Sequence, residues 1–300
     1  AFDVRLAWTP VLGATSYRLE LPGPLGTEVI LGGITEPESW WNDPRLKRLD
    51  GIIHLAALVK HSRRNTDIVY QTNVAGTLNM FELAARTGAR LIHMSTSGVV
   101  GCFTDAGSRA DEEAPYCGDR IGTWPYYDSK MKAEREILQR AQDEGVSVVI
   151  FRAPVLLGPD DHRLHSCRHI LKAMKRRLPF VVQGGIHFVD IRDVAEAMVR
   201  SLEMKAPRPI YHLSGTACGI NDFFRMVEEI SGVPGPPFTL PFTPAWMIAR
   251  LLEGRGLVPD PVTIEMASHH WGLASLYAKD DLGFESRDGY SGTGRRFFFF

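Results

Sequence analysis

Residues 89–101 read ARLIHMSTSGVVG, an apolar strand pattern that runs directly into hydroxyl-bearing and small residues. The apolar part is typical of a buried strand because it is short, continuous and bounded by polar residues. In α/β sheets the carboxyl ends of parallel strands open on the crevice where ligands bind. We therefore expect the Thr96 hydroxyl to hydrogen-bond a substrate oxygen. Ser95 and Ser97 could equally cap the next element.

An earlier stretch, residues 49–57, has the same layout and reads LDGIIHLAA. It ends in Ala56 and Ala57, whose small side chains would let a bulky ligand approach the backbone. A helix pattern opens at Asn73 and continues to about residue 87. His54 alone is more typical of a structural histidine than of a catalytic one.

Strand and helix patterns alternate through the first half of the chain, at 28–34, 50–55, 73–87, 90–95, 126–144 and 146–152. This alternation predicts an α/β fold with a doubly wound parallel sheet. Further helix patterns follow at 165–177, 194–204 and 221–230, the last with Asn221 as its N-cap. The segment 241–257 is amphipathic, with the apolar residues Phe242, Trp246, Met247, Leu251 and Leu252. It either packs against a smaller lobe or lies at a membrane interface.

Tyr126 and Lys130 form a Tyr-x-x-x-Lys pair within WPYYDSK, residues 124–130. Positions four apart lie on one face of a helix, so the ammonium can approach the phenol. A free phenol has a pKa of about 10, and a neighbouring cation favours its ionised form. We therefore expect the pKa of Tyr126 to be lowered toward the range of a general acid or base. An exposed Tyr and Lys on a helix is the alternative.

These motifs occur in the order typical of one family. Together with the matching runs at 152–159 (RAPVLLGP), 188–195 (FVDIRDVA) and 280–284 (DDLGF), they make residues 28–288 resemble an extended short-chain dehydrogenase/reductase of the NAD-dependent epimerase/dehydratase group. Within that group the chain is most similar to dihydroflavonol-reductase-like and 3β-hydroxysteroid-dehydrogenase-like members. The resemblance implies a Rossmann-like core at 28–157 and a smaller substrate-binding lobe at 158–290, interleaved with the core.

The resemblance also implies a role for each matching residue. Tyr126 would be the acid/base, Lys130 would lower its pKa and hold the nicotinamide ribose, and Thr96 would orient the substrate oxygen. The implied cofactor-binding positions are Ala56, Ala57, Asn73, Ser95, Lys130 and Pro154. The implied cofactor is NADP or NAD, with NADP preferred although no discriminating residue can be identified.

The first residues depart from this pattern. A dinucleotide-binding turn needs three spaced glycines between a strand and a helix. Around Gly13, the nearest candidate, Ser16 and Leu19 stand where the second and third glycines belong. Residues 1–27 are more typical of a β-hairpin and faintly resemble part of a fibronectin type III domain. We therefore expect the first βαβ unit to be atypical or missing, and residues 291–300 to form a separate tail.

The net charge and the cysteine spacing limit the classes of partner that the sequence indicates. The formal net charge is −1 over 300 residues, so nothing indicates nucleic acid binding. The four cysteines lack the spacing of a metal site. We expect a small-molecule substrate and no metal site. We also expect no strong membrane signal and a cytoplasmic location, with a homodimer as one of the open oligomeric states. The hypotheses are an oxidoreductase of carbonyls or secondary alcohols, a sugar-nucleotide epimerase or dehydratase, or a cofactor-impaired, non-catalytic dinucleotide-sensing or structural relative.

Overall fold

The computed structural model describes residues 32–287 except 160, 162, 163, 165, 254, 256 and 257. Its strands are β1 (Gly51–His54), β2 (Arg90–Thr96), β3 (Cys102–Phe103), β4 (Val148–Ala153), β5 (Val155–Leu157), β6 (Phe180–Val182), β7 (Gly185–Asp190), β8 (Ile210–His212), β9 (Thr216–Gly219), β10 (Phe238–Leu240) and β11 (His270–Trp271). Its α-helices are α1 (Asp67–Tyr70), α2 (Gly76–Thr87), α3 (Gly118–Ile121), α4 (Pro125–Glu144), α5 (Arg168–Met174), α6 (Ile191–Glu203), α7 (Ile220–Ser231), α8 (Phe242–Leu251), α9 (Pro261–Ala267) and α10 (Leu276–Leu282).

A four-stranded sheet with the order β1-β2-β4-β8 forms the centre of the α/β architecture. Strands β1 and β2 pair in parallel, from Gly51 opposite Arg90 to His54 opposite His93. All residues of β1 and β4 are buried, as expected for strands of a parallel sheet that is covered on both faces. The predicted α/β class with a parallel central sheet is confirmed.

The chain divides into two compact units. Among the described residues the first unit comprises 32–95, 122–151 and 200–210. Its core joins β1, β2 and β4 to α2 and α4 through buried apolar side chains, with Phe81, Ala84 and Leu91 fully inaccessible to solvent.

The second unit comprises the described residues of 96–121, 152–199 and 211–287. It contains a three-stranded sheet of order β5-β7-β9, in which β7 pairs in parallel with β5 and antiparallel with β9. Helices α5 and α7 pack on this sheet through a core that includes Ile170, Phe188 and Phe223. The division at residue 157 that the sequence predicts stays a prediction.

Three predicted elements differ from the structure. Residues 32–34, the described part of the predicted strand 28–34, form no strand, and a 3₁₀ helix follows at Pro37–Ser39. The helix expected to open at Asn73 already starts at α1, because a π-helical turn at Gln71–Ala75 links α1 to α2. Asn221 is not an N-cap, since α7 begins one residue earlier, after Gly219. The predictions for residues 1–27, for Gly13 and for the tail 291–300 lie outside the described residues.

Helix α8 forms within the amphipathic segment 241–257 and packs against another helix of the second unit. It packs on α9 through the buried Ala245 and Ala249 and through Trp246, whose indole donates to Glu265 at 3.0 Å. Met247 and Leu251, two apolar residues of the same segment, are 61% and 76% exposed. The face that packs on α9 therefore combines two alanines with one large aromatic ring. Within the described residues, no helix is long and apolar enough to cross a membrane.

Helix α4 carries the predicted catalytic pair, and the sequence fixes both of its ends. Trp124 adopts an extended conformation before Pro125, which occupies the first helical turn without losing a hydrogen bond. Gly145 then ends the helix in the left-handed region with φ 71°, a conformation that glycine adopts without strain. Tyr126 therefore lies in the first turn and Lys130 one turn later.

Phe81 provides a test of the first unit's core. Its side chain is 0% exposed, so Phe81→Ala removes a buried ring and leaves a cavity. We expect the free energy of unfolding to fall by about 3–5 kcal/mol, measured by urea denaturation. Leu251→Ala, at an exposed position of α8, should change it by less than about 0.5 kcal/mol. Equal losses in the two variants would contradict this description of the core.

Candidate active site

The packed face of α4 is charged, which is unusual for a helix that covers a sheet. Lys130 is 2% exposed and Glu134, one turn later, is 0% exposed. A buried charge is costly unless it has hydrogen-bonding partners or an opposite charge nearby. Residues 126, 130 and 134 follow the spacing of four that keeps side chains on one helix face. A polar layer therefore lies between α4 and β2.

Strand β2 supplies the partners of the buried lysine. The Lys130 ammonium donates to the Met94 carbonyl oxygen at 2.6 Å and lies 3.1 Å from Nε2 of His93. Burial lowers the pKa of Lys130 to about 8, while the negative charge of Glu134 acts in the opposite direction. The lysine therefore titrates much closer to neutrality than an ordinary lysine.

Ser95 lies in the same polar layer. Its hydroxyl donates a short hydrogen bond to a carboxylate oxygen of Glu134. Both residues are buried, so Ser95 helps to satisfy a carboxylate that no water can reach. Its predicted part in cofactor binding stays a prediction.

Two neutral histidines stack on each other, His54 from the carboxyl end of β1 and His93 from the middle of β2. The ring centroids of His54 and His93 are 5.1 Å apart. Burial, followed by the nearby Lys130 charge, lowers the pKa of His54 to about 3 and that of His93 well below its usual value. Nε2 of His54 lies 3.0 Å from the Thr77 hydroxyl. This contact fits the structural role that the sequence suggests for His54.

Asn73 joins three parts of the first unit. Its amide accepts from the Leu58 backbone N–H at 2.7 Å, donates to the Leu58 carbonyl at 3.1 Å, and donates to the Ser129 hydroxyl at 2.9 Å. Asn73 thus ties the loop after β1 to α4 from within the π-helical turn, a feature that often marks functional sites. These contacts are structural, and the predicted contact of Asn73 with a cofactor stays a prediction.

Tyr126 is partly buried under the loop that follows β1. The His61 ring meets Tyr126 edge-on, with 5.7 Å between centroids. The same loop is held to the start of α4 by Arg63, which donates to the carbonyl and hydroxyl of Thr123 at 3.0 and 3.1 Å. The phenol therefore lies in an enclosed environment rather than on an open helix face.

The expected lowering of the Tyr126 pKa is wrong for this structure. Burial raises the pKa of Tyr126 to about 12. The physical reason is that the Lys130 ammonium hydrogen-bonds to β2, and desolvation of the phenol then dominates. Tyr126 is consequently a protonated group across the neutral pH range.

The remaining predicted residues occupy separate places. Ala56 and Ala57 follow β1 in the first unit and are partly buried. Thr96 ends β2, belongs to the second unit, and accepts from the Gly98 backbone N–H at 3.3 Å. Pro154 lies buried between β4 and β5 in the second unit. No role of these four residues is tested by the structure.

Sequence reasoning missed His93 and Glu134. Glu134 was visible as the third member of the spacing that begins at Tyr126 and Lys130. His93 gave no such signal, because one histidine in an apolar strand looks structural until its neighbours are known.

The parallel central sheet with its helices defines the class of protein, an α/β fold of the Rossmann type. The chain belongs to the NAD dependent epimerase/dehydratase family, whose profile matches residues 11–213. This assignment confirms the family resemblance that the motifs indicate.

Individual proteins agree with the family. The chain is 28% identical over 226 residues to a putative dihydroflavonol 4-reductase of Synechocystis sp., covering 72% of this chain and 65% of that relative. It is 32% identical over 215 residues to UDP-glucuronic acid decarboxylase 1 of Arabidopsis thaliana, covering 67% of this chain and 47% of that relative. The chain therefore spans about half to two thirds of the length of these relatives. The crystal structure of gox2253 superposes with a TM-score of 0.73 and 27% identity, covering 88% of this chain and 82% of that one.

Acid stability tests the buried histidines. Between pH 6.5, the usual pKa, and about 3, the folded-state pKa of His54, the unfolded chain binds the extra proton. Stability is therefore lost as the pH falls below 6.5, by about 1.4 kcal/mol per pH unit for each such histidine. We expect His54→Leu to make the decline in urea-unfolding free energy between pH 6 and 5 shallower by about that amount. At pH 8, where both states are neutral, the variant should differ from the wild type only by a constant offset. Parallel pH curves through this range would refute the neutral, buried state.

Proposed function

We propose that the chain is an NAD(P)-dependent oxidoreductase that transfers hydride to or from a carbonyl or secondary alcohol of a small organic molecule. The observation that carries the proposal is the Tyr126–Lys130 pair on α4, with the lysine buried and charged against the end of β2. The family assignment and the similarity to a putative dihydroflavonol 4-reductase support it.

Tyr126 is proposed as the proton donor in the reductive direction. Its raised pKa keeps the phenol protonated at neutral pH, so the hydroxyl can donate to a carbonyl oxygen as that oxygen gains negative charge. Lys130 contributes the positive charge that favours the phenolate left behind. In the oxidative direction the same phenol, once deprotonated, would take the proton back from the substrate hydroxyl.

We propose that the residues after β1 and the inner face of α4 contribute to a dinucleotide site. Small residues, Ala56 and Ala57, follow a parallel strand where the backbone must approach a ligand closely. The Lys130 ammonium is a donor of the kind that ribose oxygens accept from. A bound nicotinamide would supply the hydride. We propose NADP before NAD, as the resemblance suggests.

Replacement of the proton donor tests this proposal. Tyr126→Phe keeps the ring but removes the hydroxyl, and we expect kcat for ketone or aldehyde reduction to fall by about 100-fold or more. Tyr127→Phe, at the next position of α4, is the matched control and should retain most of the activity. The measurement is NADPH oxidation over a panel of carbonyl compounds. Equal activity in wild type and Tyr126→Phe would remove Tyr126 from the mechanism.

A sugar-nucleotide epimerase, dehydratase or decarboxylase is the second candidate. The similarity to a UDP-glucuronic acid decarboxylase favours it, and such chemistry could use the same phenol and lysine. The two candidates differ in their cofactor balance. A reductase consumes NADPH in proportion to product, whereas an enzyme that returns the hydride to its substrate leaves the cofactor unchanged.

Incubation with UDP-glucuronic acid and UDP-glucose separates these candidates. Product formation detected by chromatography, at constant absorbance of the nicotinamide, would favour the sugar-nucleotide reaction. Conversion of a carbonyl compound with stoichiometric NADPH loss would favour the reductase.

Cofactor binding separates both candidates from a non-catalytic relative. We expect quenching of protein fluorescence on titration with NADPH or NADH at micromolar concentrations, and weaker binding by Lys130→Met. Absence of binding at millimolar cofactor would support the cofactor-impaired alternative for this chain.

A further inference from the structure

We propose that His93 is a positioning residue that accepts a hydrogen bond from the Lys130 ammonium and thereby keeps the lysine charged and fixed against β2. The proposal rests on the proposed function in one respect, namely that Lys130 assists Tyr126. His93 itself is not proposed to touch substrate or cofactor.

The geometry leaves the lysine few partners. Lys130 is 2% exposed, and its ammonium reaches the Met94 carbonyl at 2.6 Å and the Nε2 atom of His93 at 3.1 Å. An ammonium has three hydrogens to donate and no acceptor capacity. His93 Nε2 must therefore accept, because two donors facing each other in a buried site would repel.

This assignment decides the tautomer of His93. If Nε2 accepts from Lys130, the single ring proton lies on Nδ1. Within the part of the chain that the structure describes, the buried Nδ1 atom of His93 has no hydrogen-bond partner. An unmatched buried donor costs free energy, so an apolar residue would serve packing better at this position. The contact with Lys130 gives a reason for a histidine here.

The neighbouring histidine has the opposite arrangement. The Thr77 hydroxyl donates to the Asn73 carbonyl at 2.7 Å, so it accepts from Nε2 of His54 at 3.0 Å. The His54 proton therefore lies on Nε2, and this ring has no direct part in holding the ammonium. His54 is thus a matched control: a buried histidine stacked on His93 that serves a different partner.

The ionisable groups around the Lys130 ammonium lie on β1, β2 and α4. His93 faces it from β2 and His54 lies near it on β1, both with a lowered pKa and hence neutral. On α4, Glu134 supplies the negative charge and Tyr126 shares the same face. Removal of the His93 acceptor therefore leaves Glu134 and the Met94 carbonyl as the groups that stabilise the ammonium.

The test is an NMR titration that needs no turnover. The ε-CH₂ resonance of Lys130, assigned with Lys130→Arg, reports the lysine pKa in wild type, His93→Phe, His93→Gln and His54→Gln. We expect the pKa of Lys130 to fall by about one to two pH units in His93→Phe, since a charge-assisted hydrogen bond is lost. In His93→Gln, which offers an amide oxygen as acceptor, the pKa of Lys130 should stay near its wild-type value. The same is expected in His54→Gln.

A second measurement needs no variant. Ring ¹⁵N shifts of wild-type His93 below pH 8 should show an unprotonated Nε2 and a protonated Nδ1. A proton on Nε2 of His93 would overturn the proposal. So would a folded His93→Phe variant in which Lys130 has the same pKa as in the wild type. The proposal would also fail if the pKa of Lys130 fell as far in His93→Gln as in His93→Phe. If His93→Phe does not fold, the tautomer and the His93→Gln comparison decide.

The kinetic consequence separates this proposal from the proposed function. If the enzyme turns over a carbonyl substrate, the alkaline limb of kcat/KM should move to lower pH in His93→Phe by the interval seen in the titration. If Tyr126→Phe retains full activity, the proposed mechanism fails. The NMR result on His93 and Lys130 then still stands or falls by itself.

Discussion

The burial of one positive charge is the constraint on which the first unit depends. Lys130 lies on the packed face of the longest described helix, so the ammonium cannot reach water. The fold compensates with a backbone carbonyl and a histidine nitrogen from β2 and with the carboxylate of Glu134. This requirement explains why polar residues occupy β2 and the inner face of α4, where a purely structural sheet and helix would carry apolar ones.

The same layer fixes the ionisation of the groups around it. Desolvation lowers the pKa of Lys130 to about 8 and raises that of Tyr126 to about 12, and it holds the two stacked histidines neutral. The result is a protonated phenol one helical turn from the buried lysine. Asn73, within the π-helical turn, hydrogen-bonds both the loop after β1 and α4 and so holds the two together.

Comparison with the family gives these features their context. The profile of the NAD dependent epimerase/dehydratase family covers residues 11–213, whereas the structure describes the chain from residue 32 onward. The described part of the chain contains the central sheet, the small residues after β1 and the helix that carries Tyr126 and Lys130. The glycine-poor stretch around Gly13 lies outside the described residues. Direct titration with the cofactor is therefore a decisive experiment for this chain.

The sequence alone determined the α/β class, the strands around residues 52 and 92, and the bounds of α4 to within about two residues. Short apolar runs, a proline at the first turn and a glycine after the last are local signals, and local physics is sufficient to interpret them. Tertiary structure decided the direction of the Tyr126 pKa, the contact between His93 and Lys130, and the packing of α8 through alanines. Each of these depends on desolvation or on a partner distant in the chain, and neither quantity is encoded in the spacing of a motif.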